Sequence, residues 1–136
     1  MGPNEADIIR VSMREANGEV ADNTLDPSLN AEVVVEVEAG SAIFGTGGAW
    51  QVGVHVRDLD GGNIGTTLTP TTTMNGHLGT APWTAQRAIL RYTVPAGNLT
   101  AHKGHLGRVH AYLLVGTNAA NYDATFVESE PFLVLP

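Results

Sequence analysis

Three of the chain's five histidines, His102, His105 and His110, fall in the stretch "HKGHLGRVH". Imidazoles at such short spacing can chelate a divalent ion, and three of them plus a water would make a catalytic zinc geometry. Two features of the stretch oppose that reading. Lys103 and Arg108 make it formally positive before any metal arrives, and no Asp or Glu lies between Tyr92 and Tyr122 to offset the charge or orient an imidazole. From Gly107 onward Val109, Ala111, Leu113 and Val115 alternate with Arg108, His110, Tyr112 and Leu114. That period places His110 outward on a strand, beside Tyr112, and leaves His102 and His105 in a glycine-punctuated turn before it. The expectation is a turn feeding a central strand, with no metal bound.

A second group of donors lies in "RDLDGGN", where Asp58, Asp60 and Asn63 could present oxygens to Ca2+. The stretch lacks a downstream bidentate Glu at calcium-loop spacing, and Asp-Gly-Gly-Asn between two strands is ordinary hairpin chemistry. "DNTLD" (22–26) would add oxygens only if the fold joined the two loops. "GSAIFGTGGAW" is rich in glycine but has no Lys-Ser/Thr ending and no helix behind it, so it reads as a bulged or looped lead-in to the strand of Trp50 rather than a phosphate loop. Ser12, Ser28, Ser41 and Ser129 lack a nucleophile-elbow context. Glu32, Glu36 and Glu38, like Glu128 and Glu130, sit at every-other-residue spacing that suits a solvated strand face. No catalytic, cofactor-binding or metal-ligating residue is assigned, no cofactor is expected, and the chain is not expected to be an enzyme.

The elements that must position these residues are strands. "AEVVVEVEA" sets Ala31, Val33, Val35, Val37 and Ala39 against Glu32, Val34, Glu36 and Glu38. "WQVGVHV" sets Trp50, Val52, Val54 and Val56 against Gln51, Gly53, His55 and Arg57. "IIRVSMR" and "AILRYTV" alternate in the same way, and no window carries a helical stripe. Strands are expected over 7–14, 31–39, 49–58, 87–94, 108–116 and 125–135, with one or two short ones between 64 and 83. Residues 14–31 read as a long loop with room for one helical turn. Pro131 marks an edge position or a bulge in the last strand, because proline cannot donate to a ladder. Arg10 and Arg14 would face the glutamates of 31–39 if the first two strands pair.

Short strands with Gly, Pro and Asn turns make one all-β domain over residues 1–136: an immunoglobulin-like antiparallel β-sandwich of about seven to eight strands. Trp50 sits where such sandwiches commonly bury a tryptophan, and "VHAYLLV" followed by "FVESEPFLVL" resembles their closing hairpin. The resemblance is to a superfold, which hosts many functions. The paired cysteines of antibody domains are missing, and Val109 stands near the place of the tyrosine corner. The expected core is Val11, Val33, Val35, Val37, Trp50, Val52, Val54, Leu90, Tyr92, Ala111 and Leu113.

Composition narrows the function. Cysteine is absent, which removes disulfides, thiolate metal sites and a Cys nucleophile. The formal charge of −7 and a single lysine disfavour nucleic acid and anionic membrane surfaces. The start of the chain has no signal-peptide pattern, and no apolar run is long enough to span a bilayer, so the cytoplasm, or a particle assembled there, is the expected location.

Residues 61–86 carry no Asp, Glu, Lys or Arg. A solvated loop normally carries charge, so this segment should be covered, and an interface of Ile64, Leu68, Met74, Leu78 and Trp83 is expected. The leading reading is a non-catalytic structural or interaction domain, self-assembling as a shell, decoration or filament subunit. Its partners would be further copies (a homo-oligomer) or other protein subunits. The alternative is a carbohydrate- or small-ligand-binding module that stacks sugars on Trp83, Trp50 or Tyr122, with a structural Ca2+ at Asp58 and Asp60. A histidine metalloenzyme is the third reading.

Overall fold

The computed structural model describes residues 5–15, 23–60, 72–118 and 121–136, the side chains of 117–118 and 121–123 excepted. Strand alternation sets the architecture. In β3 (Ala31–Ala39) the side chains of Val33, Val35 and Val37 are fully buried on one face, while Glu32, Glu36 and Glu38 stay half-exposed on the other. β1 (Ala6–Glu15) and β6 (Arg87–Val94) flank β3 antiparallel and complete a three-stranded sheet.

The expected pairing of the first two long strands is present, with Arg10 opposite Glu36 and Arg14 opposite Glu32. Arg10 Nε donates to Glu36 Oε2 at 2.7 Å. From the other side Arg91 pairs with Glu32, and Arg87 lies 3.7 Å from Glu38. Val34 points to this charged face yet is fully buried. Arg91 stands opposite Val34 and reaches diagonally to Glu32.

The second sheet holds β4 (Ala49–Asp58), β5 (Thr73–His77), β7 (Leu106–Asn118), β8 (Asn121–Glu128), β9 (Phe132–Val134) and the two-residue β2 (Thr24–Leu25). Its order is β2-β9-β7-β4-β5, with β8 also on β7. All pairs are antiparallel except β2 with β9. The strand expected over 125–135 is divided. β8 stops at Glu128, the Ser129 hydroxyl accepts the Val109 N–H at 2.9 Å, and pairing resumes as β9 beyond Pro131. The chain therefore breaks where proline withholds a donor.

Two connections pass from the first sheet to the second through one helical turn each, α1 (Ser41–Gly45) after β3 and α2 (Ala96–Thr100) after β6. Each places one apolar residue under the sandwich, Ile43 and Leu99. The expected loop before Trp50 is thus partly helical, and a five-residue turn is too short to print a period of 3.6.

The core lies between the sheets, and every residue expected in it is buried. Tyr92 links the two layers, its hydroxyl donating to the Val52 carbonyl oxygen at 2.8 Å. Burial pushes the Tyr92 phenol well above its ordinary range, and the neighbouring Tyr112 adds to that. A raised folded pKa means stability that is complete below the unfolded pKa, about 10, and is lost as pH climbs past it. Tyr92→Phe should cost about 1 kcal/mol at neutral pH and remove most of the alkaline loss, as read by urea denaturation on both sides of that pH. An unchanged alkaline loss would assign it to other groups.

Candidate functional site

β4 and β7 pair so that Asp58, the last residue of β4, faces Gly107 near the start of β7. The turn between α2 and β7 is thereby held against the end of β4. Its two histidines converge on one buried carboxylate oxygen. His102 Nδ1 lies 2.5 Å and His105 Nδ1 2.6 Å from Asp58 Oδ2. The rings meet edge to face, 5.9 Å between centroids. Asp58 Oδ1 accepts the Asp60 N–H at 2.9 Å, and Asp60 Oδ2 accepts the Leu106 N–H at 2.5 Å.

The turn itself is fixed on both sides. The His105 N–H donates to the His102 carbonyl, the Gly104 N–H to the Val134 carbonyl, and the Val134 N–H to the His105 carbonyl. Gly104 sits at φ +78°, a left-handed position that favours glycine. The Asp58 side chain is 3% exposed and that of His105 36%, so the group opens to solvent on the His105 side. Two imidazoles and a carboxylate with mutually close ligand atoms are a donor set able to hold a metal ion.

The expectation of metal-free histidines rested on the cations Lys103 and Arg108, on the strand parity of His110, and on the lack of an acidic residue nearby in the sequence. The last of these premises is corrected by the fold, which brings Asp58 to His102 and His105 from 44 and 47 positions away. His110 does not join them. It points outward on β7, with Nδ1 3.3 Å from Glu128 Oε1. The calcium loop does not assemble from the described residues either. Asp58 is engaged with the histidines, Asp60 closes onto Leu106, and Asn63 lies outside the described residues. Asp26, in the other acidic loop, accepts the Ser28 hydroxyl and N–H, and these bonds hold its carboxyl below the usual range.

The expected interface residues are distributed differently from the sequence reading. Ile64 and Leu68 lie outside the described residues. Met74 is half-buried on β5 against the core, while Leu78 and Trp83 are buried within their own chain, Trp83 fully. Trp83 packs edge-on against Trp50 at 5.6 Å, and its Nε1 donates to the Gln86 carbonyl at 3.2 Å. Leu78 and Trp83 thus find cover inside their own sandwich. The same burial removes Trp50 and Trp83 as platforms for a sugar ring. The side chain of Tyr122 lies outside the described residues.

One surface residue escaped the sequence reading. Phe126 on β8 is 76% exposed. It stands opposite Tyr112 of β7, whose ring lies over Gly53, and whose hydroxyl accepts from Gln51 Nε2 at 2.7 Å. Half-buried Leu114 continues the same face. Among the described residues β8 pairs with β7 alone, so its other edge carries no ladder. The alternation of "ATFVESE" was the available signal, since it puts Phe126 in phase with Ala124 and Glu128 rather than with core-packed Val127.

No family model matches the chain, and no curated protein does. Solved structures do match in fold. The chain is similar to AggA, the major subunit of aggregative adherence fimbriae type I from Escherichia coli, with 9% identity, 96% of each chain covered and a TM-score of 0.52. It is also similar to a CARDB domain from Pyrococcus furiosus determined in complex with di-metal ions, with 15% identity, 99% of this chain and 93% of that one covered, and a TM-score of 0.51. At such identities the likeness carries the fold, and the chain is an all-β sandwich of that architecture.

Proposed function

We propose that the chain is a non-catalytic structural or interaction domain that works through protein contacts, and that copies of it associate along β8. The exposure of Phe126 on a strand edge that has no partner among the described residues carries this reading. A phenylalanine moved from water into a contact contributes roughly 1.5–3 kcal/mol. Among the described residues no second strand pairs with β8, so its outer edge offers N–H and C=O groups for a further ladder, the usual means of joining sheets between chains. A two-fold contact would offer each Phe126 to the Tyr112–Leu114 face of the other copy. A fimbrial major subunit of this fold is an instance of a structural role on the same scaffold.

Amide hydrogen exchange at low and high protein concentration tests this reading. Amides of β8 should slow at high concentration, while those of β5, at the opposite end of the sheet, should not. Equal exchange of β8 at both concentrations would overturn association through this edge.

A further inference from the structure

We propose that Asp58, His102 and His105 bind a first-row divalent transition ion of the zinc class. The site is built by the turn before β7 and the end of β4, and does not depend on how the domain associates. The three donors come from two separate places in the chain and meet at one point. Both imidazoles present the same ring nitrogen, Nδ1, to the same carboxylate oxygen. In a tetrahedral site with bonds of ~2.0–2.1 Å, neighbouring ligand atoms stand about 3.3 Å apart. The present separations of 2.5 and 2.6 Å therefore need to widen by less than ~1 Å to admit the ion.

Neutral imidazole accommodates the change by carrying its proton on Nε2, which leaves the Nδ1 lone pair for the metal. Two imidazoles with one carboxylate suit Zn2+, Co2+ or Ni2+, whereas Ca2+ and Mg2+ demand oxygen shells. The supporting shell is already built. The Asp60 N–H fixes the second oxygen of Asp58, and two backbone hydrogen bonds tie the histidine turn to β9. Arg108, one of the two cations that weigh against metal in the local sequence, has its own carboxylate partner, with Nη1 3.6 Å from Glu128 Oε2. The more exposed His105 leaves a fourth position for water on the solvent side.

Chelator-stripped protein titrated with Zn2+ or Co2+ alone tests the proposal. The wild type should bind either ion stoichiometrically, gain about 5 °C or more in melting temperature, and give Co2+ visible bands of low coordination number. His105→Ala, which removes the most exposed ligand, should lose all three effects while keeping its circular dichroism. His110→Ala should keep them. In the wild type, imidazole nitrogen resonances should move for His102 and His105 and stay for His55 and His77, a readout that needs no variant to fold. No binding by the wild type, equal binding by His105→Ala, or shifts confined to His55 or His77 would overturn the site.

Discussion

Trp83→Ala is expected to lower the unfolding free energy by roughly 3–5 kcal/mol. Trp83 has no exposure and fills the core next to Trp50. Truncation removes the largest kind of side chain from a close-packed site, leaves a cavity, and ends an edge-to-face pair that is itself worth about 0.5–1.5 kcal/mol. It also leaves the Gln86 carbonyl without the indole donor. A domain of this size has about 5–15 kcal/mol in total, so the loss is a large share. Urea denaturation should show a lower midpoint at an unchanged slope. A loss below about 1 kcal/mol would mean that Trp83 is not a core residue. An anchor that serves only an interface would show the opposite pattern, with smaller assemblies of undiminished stability.

Asp58→Ala carries the second large effect, a loss of about 2–4 kcal/mol in metal-free protein. The carboxylate accepts from His102, His105 and the Asp60 N–H. Its removal orphans donors at a place where the Asp58 side chain is only 3% exposed. It also unfastens the turn before β7 from the end of β4. Asp58→Asn keeps one acceptor oxygen of nearly the same shape, so its cost should be clearly smaller. Equal stability of Asp58→Ala and wild type by chemical denaturation would mean that the histidines do not depend on Asp58 for their position.

The long strands were legible because one face of each is buried. Val33, Val35 and Val37 alternate with glutamates, and Trp50, Val52 and Val54 with polar residues, so period two names both the strand and its inner side. The Arg10–Glu36 pair could be anticipated because opposite charges on two such strands favour one register. Elements too short for a period were not legible. β2 has two residues, and its parallel pairing to β9 is a long-range event. Composition could mark Leu78 and Trp83 as wanting cover, but it does not say whether cover comes from the same chain. Trp50 supplies it for Trp83. The Asp58 cluster was hidden for a related reason. The local stretch holds only cations and histidines, and the carboxylate arrives through the β4–β7 pairing, a contact that no local spacing encodes.

Sedimentation equilibrium on wild type and Phe126→Glu tests association through β8 most directly. The wild type should show a mass above the 14.3 kDa of one chain, rising with concentration. Phe126→Glu should fall to the mass of one chain while keeping the stability of the wild type, because a residue 76% exposed adds little to the folded core. A wild type that stays at the mass of one chain at every concentration, or a Phe126→Glu variant that assembles as the wild type does, would contradict it.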